Sequence, residues 1–316
     1  MRTLFLGSPP FAVAVFRRLA ASAHRPQALI TPPDRPRGRG RVVERSPLVE
    51  LARELGVEVL QPADPHEPSF LDRLRGFEPE VLAVASYGVI LKRELLDLPR
   101  VCCLNVHASL LPRHRGASPI QAAIAAGDER TGVSVQRIVP ALDEGDVLLA
   151  RERAIGERET AGELLAALAE LGGEALVEAL DRLAAGTAEF TPQDPAGATY
   201  ARKLTKAQGR LDWTLPAREL DRWIRSVSPW PGARFAGTKG REVGVVLARP
   251  AAVAVPPSTA PGTLLEVDPR MVVATGDGAL ELVRVAPAGK RAMSGADYLR
   301  GARLEAGQAL PAWGAR

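Results

Sequence analysis

Short apolar runs recur along the first half of the chain, and stretches with helical periodicity separate them. The run Val81–Ala85 carries no polar side chain, as expected of a strand buried on both faces of a sheet. Strands that alternate with helices predict the α/β class, with a Rossmann-like, mostly parallel and doubly wound sheet. The predicted strands are residues 2–6, 27–31, 57–60, 81–85, 101–106, 131–139 and 147–154, and the predicted helices are 11–21, 46–55, 70–76 and 119–126.

The pattern changes towards the carboxyl end. A Leu- and Ala-rich helix is predicted at 160–185, with a break at Gly172-Gly173. Proline and glycine are frequent from Gly186 to Gly209. A helix predicted at 217–227 and short valine-rich segments follow, as is typical of a small β-barrel or sandwich. We therefore predict an α/β domain at 1–188, a linker at 189–207 and a small β domain at 208–316.

The most informative polar run follows the apolar residues Val101–Leu104. Asn105 and His107 are two positions apart, so both point to the same face of an extended strand. They would lie at the carboxyl end of that strand, where open parallel sheets bind their ligands. An amide donor beside a proton-transfer group suits acyl chemistry. A single histidine is often structural, and this pattern alone leaves both roles open for His107.

The acidic segment Leu142–Asp146 follows the strand predicted at 131–139. A carboxylate there could orient His107, raise its basicity and accept a proton. The same residues are good turn formers, and taken alone they favour a turn. The histidines and cysteines lack metal-ligand spacing, which predicts no metal. The Gly7–Pro10 turn lacks the G-x-G-x-x-G pattern, and its prolines remove backbone donors, which disfavours a nicotinamide cofactor.

Positive charge is concentrated in two regions. The net charge of the chain is +4, and Thr31–Arg45 and Ala201–Val245 both carry more basic than acidic residues. Such regions indicate a polyanionic partner or simply two solvated surfaces. We predict that the adjacent Cys102 and Cys103 are packing residues and that the protein resides in a reducing compartment. The longest apolar run, Val81–Leu91, falls short of the ~20 residues of a membrane helix, so we expect a cytoplasmic protein without a membrane partner.

Asn105-Val106-His107 with Ser109–Pro112, together with Leu142–Asp146, resembles the catalytic segments of the folate-dependent formyltransferases. The resemblance covers nearly the whole chain. It implies a formyltransferase of one-carbon metabolism with Asn105, His107 and Asp143 as catalytic residues. Asn105 would donate a hydrogen bond to the developing oxyanion, and His107 and Asp143 would handle the proton. Which of these two is the formal base stays open.

The resemblance also implies 10-formyltetrahydrofolate as the formyl donor, without a metal or a nicotinamide. The segment after the strand at 81–85 would offer backbone groups to the pterin. The loop after His107 would shape the wall of the folate pocket. The implied folate-binding residues are Ser86, Tyr87, Gly88, Val89, Ile90, Ser109, Leu110, Leu111 and Pro112.

Further segments resemble the branch of the family that acts on charged tRNA. They are the basic loop 31–40, Tyr200–Leu204, Arg210–Trp213 and Ser228–Ala233. In that branch the carboxy-terminal domain is an OB-like barrel that binds tRNA. The resemblance implies formylation of the α-amine of initiator methionyl-tRNA for translation initiation, with no DNA partner. The implied tRNA-binding residues are Arg35, Arg37, Arg39, Arg41, Lys203 and Lys206.

Two other functions stay open. A formyltransferase for a small amine, such as a nucleotide-sugar or ribonucleotide amine, would need neither the basic loop nor a basic second domain. A non-catalytic RNA-binding protein would have lost a catalytic residue, whereas all three are present. The chain departs from the family pattern at Pro10, where an acidic residue is expected, and at Ala108 and Ser118, which replace a frequent Gly and a frequent Ala. None of these positions supplies a reacting group.

Overall fold

The computed structural model describes residues 1–34, 36–37, 42–43, 45–311 and 313. The chain forms two compact units. In addition to the carboxy-terminal part, the second unit contains two short segments from earlier in the sequence. The first unit comprises Met1–Pro119, Arg130–Ala154 and Glu163–Arg202, and the second comprises Ile120–Glu129, Ile155–Gly162 and Lys203–Arg316.

Helices separate most of the strands along the first 184 residues, as the sequence predicted. Each predicted element is present, with ends that differ by a few residues. In chain order the elements are β1 (Thr3–Gly7), α1 (Phe11–Ala20), β2 (Pro26–Ile30), β3 (Pro36–Arg37), β4 (Val42–Val43), α2 (Pro47–Glu54), β5 (Glu58–Leu60), α3 (Pro68–Arg75), β6 (Val81–Ala85), α4 (Arg93–Leu96), β7 (Cys102–His107), β8 (Arg115–Gly116), α5 (Pro119–Ala126), β9 (Arg130–Arg137), β10 (Val147–Ala154) and α6 (Ala161–Ala184).

The first unit is built on a seven-stranded sheet. Its strand order is β10-β9-β7-β6-β1-β2-β5. The strands from β7 to β5 in this order are parallel, whereas β9 and β10 run antiparallel to their neighbours. The carboxyl ends of β1, β6 and β7 therefore meet at one edge of the sheet. This arrangement confirms the predicted mostly parallel α/β sheet.

The central strands are apolar on both faces because helices cover both. All five residues of β1 and of β6 are buried. Leu4 and Leu6 join a buried cluster with Leu82 on one face. Phe5 points to the other face and contacts Phe16 of α1, with ring centroids 5.3 Å apart. The period-two alternation of a strand thus sends neighbouring apolar residues into two different layers of the core.

The predicted break in the long helix at Gly172-Gly173 is wrong. Helix α6 is continuous over 24 residues. A Cβ atom on Gly172 would lie 2.8 Å from Val106 Cγ1, and one on Gly173 would lie 2.8 Å from Arg18 Cβ. The two glycines therefore let the helix approach the sheet and α1, and this close packing outweighs the roughly 1 kcal/mol that each glycine costs in a helix.

Much of the predicted linker pairs with the first unit. Thr191 exchanges two backbone hydrogen bonds with Val147, both of 2.9 Å. Strand β11 (Tyr200–Ala201) pairs in parallel with β8. The last segment of the first unit accordingly ends at Arg202. The predicted division into 1–188, 189–207 and 208–316 stays a prediction.

The second unit contains an antiparallel sheet with strand order β12-β13-β16-β15-β14, and β17 pairs with β16. Phe235 is fully buried at its centre, and its ring contacts those of Trp213 and Tyr298 at 6.1 and 5.9 Å between centroids. The structure confirms a small antiparallel β domain after an α/β domain. Within the described residues, no helix is long and apolar enough to cross a membrane. The elements are α7 (Ala217–Ser226), β12 (Arg234–Ala236), β13 (Glu242–Ala251), β14 (Leu264–Glu266), β15 (Val272–Ala274), β16 (Ala279–Pro287), β17 (Met293–Ser294) and α8 (Gly295–Ala302).

Candidate active site

Four polar side chains share one face of the strand pair β7–β9. Asn105 lies opposite Gln136, and His107 lies opposite Ser134. Residues paired across antiparallel strands point to the same face, as do residues two positions apart on one strand. Ser134, Gln136 and His107 are buried, whereas Asn105 is half-buried. Asn105 is thus the most accessible of the four residues in this polar row.

The imidazole of His107 has a defined orientation. Its Nε2–H donates a hydrogen bond to the carbonyl oxygen of His114 at 3.0 Å. The other ring nitrogen, Nδ1, faces Oδ2 of Asp143 at 3.7 Å. A backbone carbonyl accepts only from a protonated nitrogen, so the proton of a neutral ring resides on Nε2 and Nδ1 is the atom that can accept another.

The carboxylate of Asp143 is held by two hydrogen-bond donors. Nε2 of Gln136 donates to Oδ1 at 3.0 Å, and the backbone N–H of Gly116 donates to Oδ2 at 2.8 Å. The backbone of Asp143 has φ = +54°, a left-handed conformation that aspartate tolerates better than most residues. The turn predicted for Leu142–Asp146 therefore also presents a carboxylate to His107. The structure brings together Asn105, His107 and Asp143.

The backbone conformation of Gly116 explains how Asp143 reaches its donor. Gly116 has φ = +108°, and a Cβ atom at this position would lie 2.7 Å from the carbonyl oxygen of Ala201. Only glycine permits this close parallel pairing of β8 with β11, which directs the Gly116 N–H at the carboxylate.

Three residues of this site were not predicted from the sequence: Gln136, Arg115 and Gln193. Gln136 could have been found only by knowing that β9 pairs antiparallel with β7 in this register. Arg115 is buried, and its guanidinium donates two hydrogen bonds to Oε1 of Gln193, at 3.1 and 2.8 Å. Gln193 lies in the predicted linker, and nothing in its local sequence indicates contact with the site.

The predicted folate-binding loop after His107 is internally braced. Ser109 is fully buried, and its hydroxyl donates to the Arg113 carbonyl oxygen at 2.6 Å. The Ser134 hydroxyl donates to the carbonyl oxygen of Ser109 at 2.8 Å and accepts from the N–H of Leu111 at 3.1 Å. Leu110, Leu111 and Pro112 are half-buried. The hydroxyl of Ser109 therefore shapes the loop, and the three residues that follow form its accessible wall.

The second predicted folate-binding segment follows β6 at the same sheet edge. Ser86, Gly88, Val89 and Ile90 are exposed, with Ile90 at 86%. Tyr87 is buried, and this burial raises the pKa of its phenol to about 12. Its side chain is therefore a neutral part of the core, and the exposed large apolar residues of the segment are Val89 and Ile90.

The predicted tRNA-binding residues fall into two groups. Arg35, Arg39 and Arg41 lie outside the described residues, and only the backbone of Arg37 is described. The remaining two, Lys203 and Lys206, are exposed residues of the second unit.

Cys102 and Cys103 are buried in β7, and neither forms a disulfide. Burial raises the pKa of both thiols, that of Cys102 to about 11. The thiols are therefore protonated near neutral pH and serve as packing residues. Within the described part of the chain, no group of three or more His, Cys, Asp or Glu side chains could hold a metal ion. The absence of a metal stays a prediction.

The sequence matches two adjoining family domains, formyl transferase over residues 1–180 and formyl transferase, C-terminal domain, over residues 203–303. A methionyl-tRNA formyltransferase of Methylococcus capsulatus is 45% identical over 301 residues, which cover 95% of this chain and 96% of that protein. A methionyl-tRNA formyltransferase of a Methylobacterium species is 44% identical over 313 residues, which cover 98% of this chain and 99% of that protein.

Solved structures share the fold at lower sequence identity. HypX from Aquifex aeolicus matches with a TM-score of 0.64 and 19% identity, over 95% of this chain and 47% of that chain. An N-formyltransferase from Helicobacter canadensis matches with a TM-score of 0.66 and 15% identity, over 89% of this chain and 98% of that chain. The likeness of these structures concerns the fold alone. Because both family domains are present and relatives match at 44–45% identity along nearly their full length, the chain belongs to the methionyl-tRNA formyltransferase family.

Proposed function

We propose that this chain transfers the formyl group of 10-formyltetrahydrofolate to the α-amine of initiator methionyl-tRNA. The product is N-formylmethionyl-tRNA for translation initiation. The relatives that match along nearly their full length support this reaction by name. The observation that carries the proposal is an accessible carboxamide, Asn105, beside an imidazole, His107, whose Nδ1 faces the Asp143 carboxylate at 3.7 Å.

Each of these three side chains has a distinct task in the reaction. Asn105 donates a hydrogen bond to the formyl oxygen, which gains negative charge as the amine attacks the formyl carbon. His107 keeps its Nε2 proton on the His114 carbonyl, so a proton released by the amine is taken up at Nδ1. The nearby carboxylate of Asp143 stabilises the imidazolium that forms.

The bonds and protons of this reaction balance without a further reactant. A bond forms between the amine nitrogen and the formyl carbon, and one proton leaves the amine. The bond between the formyl carbon and N10 of the donor breaks, and N10 takes up a proton, so that tetrahydrofolate is the leaving group. A free α-amine has a pKa of about 7.7–8.0, so a sizeable fraction of the amine is neutral and nucleophilic near neutral pH.

The residues at the sheet edge suit a folate. We propose Ser86–Ile90 and Leu110–Pro112 as its contacts, with Ser109 acting through the shape of its loop. The exposed residues Val89 and Ile90 offer apolar surface at this edge, which suits the face of a flat heterocycle. A HypX structure with the same fold is a complex with tetrahydrofolic acid.

The tRNA contacts belong to the same proposal. We assign them to Arg35, Arg37, Arg39 and Arg41, and to Lys203 and Lys206 in the second unit. The two lysines are exposed, as contacts to phosphate oxygens require. A cytoplasmic location and the division into a catalytic domain at 1–188, a linker at 189–207 and a tRNA-binding domain at 208–316 complete the proposal.

A small amine is the weaker candidate substrate. The Helicobacter canadensis N-formyltransferase structure contains folinic acid and dTDP-3-aminofucose, but its identity to this chain is only 15%. Methionyl-tRNA formyltransferases reach 46% identity with this chain. The basic residues at 31–45 are also unnecessary for a substrate of that size.

The test uses purified protein, radiolabelled 10-formyltetrahydrofolate and methionyl-tRNA of the initiator or the elongator type. We expect labelled N-formylmethionyl-tRNA with the initiator. We also expect Asn105→Ala to lower kcat on the order of 10²–10³-fold, as for loss of an oxyanion donor. Wild-type turnover by Asn105→Ala would remove Asn105 from the mechanism. Labelling of a nucleotide-sugar amine in place of the tRNA would refute the proposed substrate.

A further inference from the structure

We propose that Gln193 is a positioning residue for formyl transfer, a role that rests on the function proposed above. Its carboxamide holds the loop that carries Asp143, so that the carboxylate faces His107. Its hydrogen bonds within the described residues go to Arg115, to Gln136 and to the backbone of the loop, so it acts through the loop. It comes from the stretch that the sequence predicts as a linker between domains.

The donor side of the carboxamide holds the acidic loop. Nε2 of Gln193 lies 2.9 Å from the carbonyl oxygen of Asp143 and 2.7 Å from that of Gly145. It also lies 3.2 Å from Oε1 of Gln136, the residue whose own amide donates to the Asp143 carboxylate. The NH₂ group of Gln193 thus bonds the backbone of Asp143, and it also orients Gln136, which bonds the Asp143 carboxylate.

The acceptor side fixes which way the carboxamide points. Two nitrogens of Arg115, Nε and Nη2, donate to Oε1 of Gln193. Arg115 is 5% exposed, and its third nitrogen, Nη1, lies 3.1 Å from the carboxylate of Glu144. Because arginine has hydrogen-bond donors only, the oxygen of Gln193 faces the guanidinium of Arg115 and its NH₂ group faces the loop. Glu144 belongs to the same loop, which is therefore held at a second point.

The same stretch of chain also holds the partner of His107. The N–H of His114 donates to the Thr199 hydroxyl at 2.8 Å, and the N–H of Arg115 donates to the Thr199 carbonyl oxygen at 2.8 Å. The carbonyl of His114 is the group that fixes the imidazole of His107. Residues 193–199 therefore hold both the segment that bonds His107 and the loop that carries Asp143. In this way they set the distance between the imidazole and the carboxylate.

The Gln193→Glu variant distinguishes two roles of Gln193: positioning the loop of Asp143, and merely anchoring its own segment to Arg115. Gln193→Glu keeps the size of the side chain and gains an ion pair with Arg115. It also replaces the NH₂ donor with an oxygen that faces three acceptor oxygens. Anchoring of the linker to Arg115 would tolerate this change, whereas positioning of the loop would not. Asp194→Asn is the matched control, since Asp194 is exposed and its side chain only accepts from the N–H of Ala196.

The kinetic experiment compares Gln193→Glu, Gln193→Ala and Asp194→Asn with the wild type. We expect both Gln193 variants to lower kcat on the order of 10²-fold, the usual effect of misplacing a reacting group by about 1 Å. KM for 10-formyltetrahydrofolate and for methionyl-tRNA should stay unchanged, because in this proposal Gln193 acts through the loop of Asp143 and not on a substrate. Full kcat in Gln193→Glu, or a loss that appears in KM alone, would overturn the proposal.

A second measurement does not depend on activity. The chain has four histidines, so the side-chain ¹⁵N signals of His107 can be assigned by single substitutions. We expect the Nδ1 signal of His107 to shift in Gln193→Glu and to stay in place in Asp194→Asn. An unshifted signal would overturn the positioning role. An inactive wild type with the expected shift would instead refute the proposed substrate and leave the positioning role supported.

Discussion

Replacing Asp143 by asparagine removes a negative charge beside His107 and preserves the size of the side chain. In the native site the carboxylate accepts from Nε2 of Gln136 at 3.0 Å and from the N–H of Gly116 at 2.8 Å. Asparagine has one acceptor oxygen, so one of these donors faces an NH₂ group whichever way the amide is turned. Losing one hydrogen bond to a charged acceptor lowers the free energy of unfolding by about 1.5–3 kcal/mol.

The effect of Asp143→Asn on turnover comes from its charge. Oδ2 of Asp143 is 3.7 Å from Nδ1 of His107, and the two side chains are only 13% and 6% exposed. At about 4 Å a pair of unit charges gains about 4 kcal/mol with an effective dielectric constant of about 20. In the proposed mechanism this attraction is gained when the ring takes up the proton, so we expect the loss to appear in kcat, on the order of 10²–10³-fold.

Two measurements check this reasoning. Single-turnover formyl transfer to methionyl-tRNA at saturating donor measures the chemical step, and urea unfolding followed by circular dichroism measures stability. The control is Asp97→Asn, an exposed position at the end of α4, which should keep wild-type values in both assays. A folded Asp143→Asn protein with wild-type kcat would refute the role of the carboxylate. An unchanged free energy of unfolding would refute the hydrogen-bond argument.

Three further results are expected. Gly172→Ala should lower the free energy of unfolding by about 1–3 kcal/mol in urea titrations, because its Cβ would lie 2.8 Å from Cγ1 of Val106 in β7. A stabilised variant would contradict this packing. Cys102 and Cys103 should resist iodoacetamide at pH 8 and react once the chain is unfolded. The reason is that burial raises the pKa of both thiols, that of Cys102 to about 11. Rapid labelling of the native protein would contradict this. Arg39→Ala with Arg41→Ala should raise KM for tRNA and flatten the salt dependence of binding, and an unchanged salt slope would argue against phosphate contacts.

Short-range patterns predicted a large part of the fold and of the site. The alternation of apolar runs with amphipathic stretches predicted the order of strands and helices, because burial imposes its period on neighbouring residues. Asn105 and His107 could be placed together for the same reason, since one strand carries both on one face. A helix and a strand separate Asp143 from these two residues in the sequence. Its assignment to the site came from the resemblance to a family.

The break predicted at Gly172-Gly173 shows where local reasoning fails. Glycine lowers helix propensity wherever it stands, and the sequence does not reveal what the helix packs against. In the folded chain the two glycines face Val106 and Arg18, and the close approach of these elements keeps α6 continuous. Propensity favoured a break, and tertiary packing decided against it.

The sequence by itself predicted which side chains would supply the proposed chemistry: a carboxamide and an imidazole on one strand and a carboxylate in a turn. Only the tertiary structure decided how they are held. The antiparallel pairing of β9 with β7 sets Gln136 beside Asn105, and a stretch that the sequence predicts as a linker brings Gln193 to the loop of Asp143. The physical reason is that strand register and the return of a distant segment depend on contacts between residues far apart in the chain, which leave no periodic signal at either position.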